Sequence, residues 1–564
     1  NLVFRFSICY LCRHLKIQVV NCNMLISKIK KLSLDETSGW RLVCVLAGIF
    51  FVLVSFFALH RFYSFYASYD QALFDQLFWN TIHGRFFQGS LSSGQSSAVI
   101  ADGQIHKVFY NHLGQHFVID FILWLPIYAL FPTGATLVIL QVALMTAGGL
   151  VLYATSRHYL PTNIAVLIVA AYFGANTVIG PTLANFYEYC QIPLFVFSML
   201  WAFAKRKWSL FWLFVALTLG VREDTGITLF GFGLYLIYTR RHARVGIALC
   251  LVSFAYVSLI TNQVMELFSN DNSRLYLKGI FGKFAPGNDS PSTLQILWGM
   301  ITHPVEVFKS LFIPFDRRVR YMLNHWLPLL FVPVISPTAW ITISPPLLVL
   351  LIQERKLALG VNIRYALTVM PGIYYGAIIW WSQNQNKFNA SVQRWWIRCI
   401  VLSLIITVIS SPNRAFYFLI PESFNPWVYT PLTRQWEHVG HVRTLMNNIS
   451  PSSSVSTTTY LLPHLATRRK IVRLPHIQIQ NDLKQIEYVE FILADVWRDL
   501  RYQKSFQNER TDLVNFASLV DRLINEYKYG IVDIQDDVIL LQKQLISQPN
   551  VLNKWAKLRA ELQK

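Results

Sequence analysis

Long apolar stretches separated by short polar turns run through the chain from about residue 40 to residue 411. A helix that crosses a bilayer needs about 20 such residues, and several stretches reach that length only with their polar ends included. The pattern predicts an α-helical polytopic membrane protein with about eleven spans. These predicted spans are about 41–60, 135–154, 163–181, 191–204, 208–221, 226–238, 245–262, 325–337, 339–352, 365–381 and 396–411.

The polar turns alternate in charge, and this alternation predicts the orientation of the chain. Lys and Arg are retained on the cytoplasmic side of membrane proteins. Basic residues precede the first span and recur at 157, 205–207 and 240–244, whereas acids occupy the intervening turns at 188 and 222–224. We therefore expect a cytoplasmic N-terminus and an extracytoplasmic C-terminus.

This orientation divides the chain into three parts. Residues 1–39 form a predicted cytoplasmic segment, and we interpret 1–23 as upstream translation because Met24 opens a typical start. Residues 40–411 form the transmembrane domain, with outer loops at 61–134 and 263–324. Within the first loop, 117–131 is expected to lie at the membrane interface.

Residues 412–564 have no further stretch of membrane length, and we expect an extracytoplasmic α/β domain there. Alternating patterns predict strands at 454–459, 471–474, 488–493 and 531–541. Helical periodicity predicts helices at 434–448, 511–527 and 551–562.

Composition agrees with a membrane protein and argues against other classes. Of 564 residues, 54% are hydrophobic and only 14% charged, whereas soluble domains carry about 25% charged residues. The net charge of +20 is explained by cytoplasmic turns, since no basic stripe with interleaved aromatics indicates nucleic-acid binding. The seven Cys have neither a disulfide pattern nor zinc spacing.

Two acids directly after the first predicted span are the first candidates for chemistry. Asp70 and Asp75 lie in the aromatic-rich segment 69–80. A carboxylate there could act as a general base on an acceptor hydroxyl, or bind a divalent cation that steadies a phosphate leaving group. The alternative is an interfacial helix with Asp70 as its N-cap.

The other candidates are polar residues in outer turns or at helix ends: Glu188, Arg222, Glu223, Asp224, His112, His116, Arg364 and Tyr365. A helix would place His112 and His116 on one face, where they could bind metal or phosphate, although interface hydrogen bonding is the alternative. Arg222 has a planar fork suited to phosphate, or it could pair with a neighbouring acid. Arg364 could meet a lipid phosphate or extend to the headgroups.

Segments 69–80, 116–117, 185–193, 222–224 and 364–365, in this order, resemble a family of uncharacterised bacterial polytopic membrane proteins, a domain of unknown function. The resemblance runs from about residue 40 to about 545 and includes the tail segment 454–465. That family is similar to the GT-C glycosyltransferases. A bacterial inner (plasma) membrane location is implied.

The resemblance to GT-C enzymes implies polyprenyl-phosphate-linked sugar donors and an essential acid after the first span. Asp70 matches that acid best and Asp75 second, so both are expected to be catalytic. Glu188 matches an acid of the second outer turn, and Arg222 lies where a basic residue meets donor phosphate. Loop 263–324, with Arg274, Lys278, Lys283 and 317–320, could cover the donor headgroup or bind anionic lipid.

The sequence therefore predicts a GT-C-like membrane glycosyltransferase, which transfers a hexose to an extracytoplasmic glycan, lipid or protein. Its expected partners are membrane lipids, the polyprenyl-phosphate donor and that acceptor, and not nucleic acid. A transporter or flippase is one alternative, and a membrane scaffold with an external binding domain is another. The metal is not identified by the sequence, with Mg²⁺ or Mn²⁺ as candidates.

Overall fold

The computed structural model describes residues 35–269, 281–287, 291–353, 356–425, 427–502 and 507–563. The predictions for the segment before residue 35, and for Arg274 and Lys278, lie outside these residues. Up to residue 410 the regular elements of the described chain are helices, apart from one short strand. Its helices are α1 (Glu36–Tyr63), α2 (Tyr69–Ile82), α3 (Ser90–Ser93), α4 (Ser97–Ile100), α5 (Leu125–Leu130), α6 (Gly134–Tyr159), α7 (Thr162–Phe173), α8 (Asn176–Thr182), α9 (Ile192–Ala204), α10 (Trp208–Val221), α11 (Gly226–Tyr238), α12 (Ala243–Leu259), α13 (Thr293–Thr302), α14 (Pro304–Phe312), α15 (Phe315–Trp326), α16 (Pro337–Ile352), α17 (Ala366–Gln383) and α18 (Ala390–Ser410).

Among the residues that the structure describes, four helical segments are long and apolar enough to cross a membrane: α1, α6, α18 and Ala243–Leu267, which begins with α12. The bent pair α7 and α8 would make a fifth. Shorter apolar helices occur at Ile119–Leu130, Glu188–Ala204, Trp208–Val221, Gly226–Tyr238 and Pro337–Ile352. A membrane protein with many apolar helices is thus confirmed, and the count of about eleven spans stays a prediction.

One predicted span, 325–337, is not a single helix. Helix α15 ends at Trp326, and two short 3-10 turns follow at Leu327–Leu329 and Val332–Ile335. Between them Leu330 and Phe331 have positive φ angles of 55° and 59°. Pro328 and Pro333 have no N–H to continue a helical hydrogen-bond ladder, which is the physical reason for the break.

The C-terminal region, residues 412–563, contains a five-stranded mixed sheet covered by helices. The described strands of the whole region are β2 (Ser423–Phe424), β3 (Trp427–Val428), β4 (Val455–Thr457), β5 (Ile471–Arg473), β6 (Gln478–Gln480), β7 (Ile486–Tyr488), β8 (Phe491–Asp495), β9 (Tyr529–Gln535) and β10 (Val538–Lys543). The described helices of the region are α19 (Leu432–Met446), α20 (Leu462–Leu465), α21 (Trp497–Tyr502), α22 (Gln507–Asn525) and α23 (Pro549–Leu562). The main sheet has the order β5-β4-β8-β10-β9, with β4 parallel to both neighbours and β10 antiparallel to both of its own.

Alternate residues of this sheet face two different apolar clusters. Leu493 and Leu540 belong to the large cluster that continues through the helices of the first 410 residues. Ile492 and Ile539 belong to a second cluster with α22 and α23. Successive strand residues point to opposite faces, so the C-terminal region packs onto the membrane domain through one face of its sheet.

Residues 61–134, the predicted first outer loop, contact the C-terminal region. Strand β1 (His106–Lys107) pairs in parallel with β6. The Gln76 side chain donates to the Arg468 carbonyl (3.1 Å), and Ser90 Oγ donates to the Ile471 carbonyl (2.6 Å). These contacts place α2, which begins directly after α1, between the membrane helices and the sheet.

Candidate active site

The position of Asp70 is set by a second turn of the chain that meets the start of α2. The Ser68 N–H donates to Asn185 Oδ1 (3.1 Å), and Asn185 Nδ2 donates to Ser68 Oγ (2.7 Å). Arg61, near the end of α1, donates to the same Asn185 oxygen (3.1 Å). Asp70 therefore lies in the first turn of α2, where the helix dipole favours a carboxylate.

Asp70 contacts one tyrosine and one arginine and remains accessible. Tyr187 Oη donates to Asp70 Oδ2 (3.0 Å), and Arg364 Nη1 is 3.8 Å from the same oxygen. The Arg364 guanidinium lies over the Tyr187 ring, 4.4 Å from its centroid. The Asp70 side chain is 35% exposed, so a substrate hydroxyl can reach its carboxylate.

Arg222 links three other predicted site residues in a buried network. It follows α10, and its side chain is only 3% exposed. Nη1 donates to Glu188 Oε1 (2.9 Å), and Nε donates to Glu223 Oε1 (3.1 Å). Arg222 Nη2 is 3.3 Å from His116 Nε2, and His116 Nδ1 is 2.9 Å from Glu223 Oε1.

The hydrogen-bond donors of this network indicate which ring nitrogen of His116 donates and which accepts. A guanidinium only donates, so His116 Nε2 accepts from Arg222 and Nδ1–H donates to Glu223. Burial raises the pKa of the Glu223 carboxyl, but Arg222 and His116 outweigh burial, and the net pKa lies well below its ordinary value. Glu223 is therefore a fixed negative charge that orients both partners.

Asp224 points to a more open part of the same site. Its side chain is 37% exposed, against 11% for Glu223. Tyr189 Oη donates to Asp224 Oδ2 (2.6 Å), and the Tyr189 ring lies under the Arg222 guanidinium at 5.1 Å. Tyr189 thus joins Arg222 and Asp224 from the turn that also carries Glu188.

Several buried polar atoms of these residues have no hydrogen-bond partner among the described residues. They are Glu188 Oε2, Asp224 Oδ1, Arg364 Nε, and His112 Nδ1 and Nε2. The His112 ring lies 5.9 Å from that of His116. Buried polar atoms are nearly always satisfied in folded proteins, so this concentration indicates a binding site for a polar group.

A cavity of about 400 Å³ adjoins this charged cluster. Five of its polar lining residues lie at or next to the predicted site: Gln115, Arg222, Glu223, Asp224 and Tyr365. The remaining walls are largely apolar and come from α11, α12, α13 and α16. Helix α13 lies within 263–324, the predicted second outer loop, and supplies one wall through Ile296, Leu297 and Met300. The cavity suits a molecule with a polar head and a long apolar chain.

The structure brings nine of the ten predicted site residues together, and Asp75 is the exception. Its side chain is buried, and Oδ1 accepts from Tyr128 Oη (2.5 Å). Burial raises the Asp75 pKa to about 7, although the Tyr128 hydrogen bond opposes the shift. Two basic residues expected at the headgroup, Lys283 and Arg318, bond within their own loop to Ser310.

Sequence reasoning singled out the turn 185–193 but gave a site role only to Glu188, and it gave none to Asn185, Tyr187, Tyr189 or Gln115, which position the site. Three of them flank Glu188 in a single turn, so that turn carried a usable signal. Gln115 stands between two candidate histidines, but its place at the cavity could not be read from spacing. Among the residues that the structure describes, no group of three or more His, Cys, Asp or Glu side chains could hold a metal ion.

Comparisons with known proteins place most of the chain in one family. A family model described as "Predicted membrane protein (DUF2079)" matches residues 61–540. Eight chains of solved structures match. One is the crystal structure of ArnT from Cupriavidus metallidurans bound to undecaprenyl phosphate, which is 11% identical, with 87% of this chain and 97% of that chain covered and a TM-score of 0.40. No curated protein matches the chain.

Proposed function

The chain belongs to the DUF2079 family of predicted membrane proteins, and we propose that it is a GT-C-like glycosyltransferase that uses a polyprenyl-phosphate sugar donor. Family membership confirms the expected resemblance to uncharacterised polytopic proteins and establishes a membrane protein. One observation carries the proposed activity: a charged cluster with unpaired buried polar atoms opens onto an apolar cavity of about 400 Å³.

The polar and the apolar lining residues of the cavity suit the two parts of a polyprenyl phosphate. The apolar walls would hold the isoprenoid chain, and the Arg222 fork suits the phosphate. The cluster already contains four carboxyl groups and two guanidinium groups: Asp70, Glu188, Glu223, Asp224, Arg222 and Arg364. We propose that a divalent cation such as Mg²⁺ or Mn²⁺ arrives with the phosphate, since Mg²⁺ binds through one or two carboxylates plus phosphate oxygens and does not need a group of three or more protein ligands, which the described residues do not provide.

Asp70 is the proposed general base. Its carboxylate takes the proton of the acceptor hydroxyl, whose oxygen bonds to the anomeric carbon on the face opposite the phosphate. The bond between that carbon and the phosphate oxygen breaks, and its electron pair leaves on the polyprenyl phosphate. Tyr187 and Arg364 hold the Asp70 carboxylate toward the site.

The test is sugar release from a radiolabelled polyprenyl-phosphate hexose by the full chain in nanodiscs, with a membrane extract as the acceptor source. Asp70→Asn removes the base and should lower transfer at least about 100-fold. Asp102→Asn is the matched control, because Asp102 is an exposed acid of the same outer loop. EDTA should stop transfer by the unaltered chain, and Mn²⁺ should restore it.

Sugar transfer by Asp70→Asn at the rate of the unaltered chain would contradict the assignment of Asp70 as the base. Translocation of a fluorescent polyprenyl phosphate across vesicles, without sugar release, would instead indicate a flippase. Binding of neither donor nor lipid phosphate would favour a scaffold. Thermal unfolding of each variant is measured in parallel, so that loss of transfer is separated from loss of the fold.

A further inference from the structure

Large apolar side chains are exposed where the C-terminal region leaves α18. Segments 416–425 and 427–436, here called the aromatic hairpin, include β2 and β3, which pair Phe424 with Trp427. Leu419 is 63% exposed, Phe424 69% and Trp427 66%. Such a concentration of exposed apolar surface usually marks a surface that contacts another phase or molecule.

Ring contacts hold the aromatic hairpin beside the last turns of α1. Phe57 lies 4.9 Å from Phe416, measured between ring centroids. His60 lies 5.1 Å from Phe418 and 5.7 Å from Trp436. The base of the hairpin is thus at the same height along α1 as residues 57–60.

The adjoining surface of α1 faces lipid in a membrane protein. Val52 is 62% exposed and Phe56 60% exposed, in the helix with the highest hydropathy of the candidate spans. Arg443 lies over the rings of Tyr63 and Trp436 at 6.0 and 5.7 Å. A cation beside interfacial aromatics is the arrangement found at the headgroup level of membrane proteins.

We propose that the aromatic hairpin inserts Leu419, Phe424 and Trp427 into the phospholipid interface and so docks the C-terminal region on the membrane surface. The continuity of its apolar surface with the lipid-facing side of α1, and the position of Arg443, identify phospholipid as the partner. Burying these side chains removes their apolar area from water, which favours the docked state. The proposal depends on the membrane location and not on the proposed activity.

The test is an environment-sensitive fluorescent amino acid, encoded at position 427 of the full chain in nanodiscs of phosphatidylethanolamine and phosphatidylglycerol. The matched control carries it at Leu483, which is 77% exposed in the turn between β6 and β7. The emission maximum of the label at position 427 should lie at a shorter wavelength than that of the label at position 483. Phospholipids brominated near the headgroup end of their acyl chains should quench most of the emission from position 427 and leave the emission from position 483 unchanged.

Position 424 is a second labelling site if a label at 427 prevents folding. Equal emission and equal quenching at the hairpin and at 483 would overturn the proposal. A blue shift without quenching by brominated lipid would also overturn it, and would point to a second copy of this chain on the same surface.

Discussion

Two aspartates on one helix, Asp70 and Asp75, have opposite environments. Five residues at 3.6 per turn separate their side chains by about 140° around α2. Asp70 therefore reaches Tyr187 and Arg364, whereas Asp75 faces inward to Tyr128. Of the two acids predicted to be catalytic, we retain Asp70 as the base and propose a structural role for Asp75.

Asp75 should make stability depend on pH. Burial raises its folded pKa from 3.8 to about 7, so between these values the folded chain holds a proton that the unfolded chain has lost. The free energy of unfolding should then fall as pH rises through this window and stay level above it. Asp75→Asn cannot titrate, but its side-chain oxygen can still accept from Tyr128. Its thermal unfolding should therefore change less between about pH 4 and pH 7 than that of Asp102→Asn.

At the scale of elements, the cavity is built from helix faces that belong to distant parts of the chain. Helix α12 has one side in the cavity and one side outside it: Val257 lines the cavity, and Val252 is 40% exposed.

The predicted single strand 531–541 is two strands in the structure. It forms the hairpin β9–β10, which turns at Asp536 and Asp537 with φ angles of 47° and 64°. Apolar runs on both sides concealed that turn.

Filling the cavity should separate binding of the lipid chain from binding of the head. Val257→Trp adds an indole to the cavity wall and should abolish binding of a long-chain polyprenyl phosphate while retaining a short-chain analogue. Val252→Trp places the same ring on the outside of α12, so this variant should bind both the long-chain lipid and the short-chain analogue. Binding to chains in nanodiscs, measured with radiolabelled lipids, checks this. Equal binding of the long chain by both variants would show that the cavity does not hold it.

At the scale of the whole molecule, the candidate site lies between the membrane helices and the C-terminal region. Asn185 connects Arg61 and Ser68, and Gln76 connects α2 to the carbonyl of Arg468. Residues far apart in the chain thus meet at one end of the helices. The turns at 205–207 and 239–242 adjoin one another through the contact of Phe203 with His242.

This arrangement predicts sidedness. A membrane-impermeant maleimide applied to intact cells should label Asp102→Cys and Leu483→Cys, each in a chain whose native cysteines are replaced by serine. Lys207→Cys should be labelled only after the membrane is permeabilised, because basic turns remain cytoplasmic. If positions 102 and 207 were labelled together in intact cells, the proposed outer location of the site would be wrong.

The sequence by itself determined the apolar helices, the strands β4, β5 and β8, and the turns that carry most of the site residues. These features depend on local periodicity and composition, which a sequence displays directly. Only the tertiary structure decided that Asp70 joins Tyr187 and Arg364 while Asp75 is buried, and that Arg222 lines a largely apolar cavity. Those outcomes depend on contacts between residues that are distant in the chain, such as Asp70 and Tyr187, whose geometry no local pattern contains.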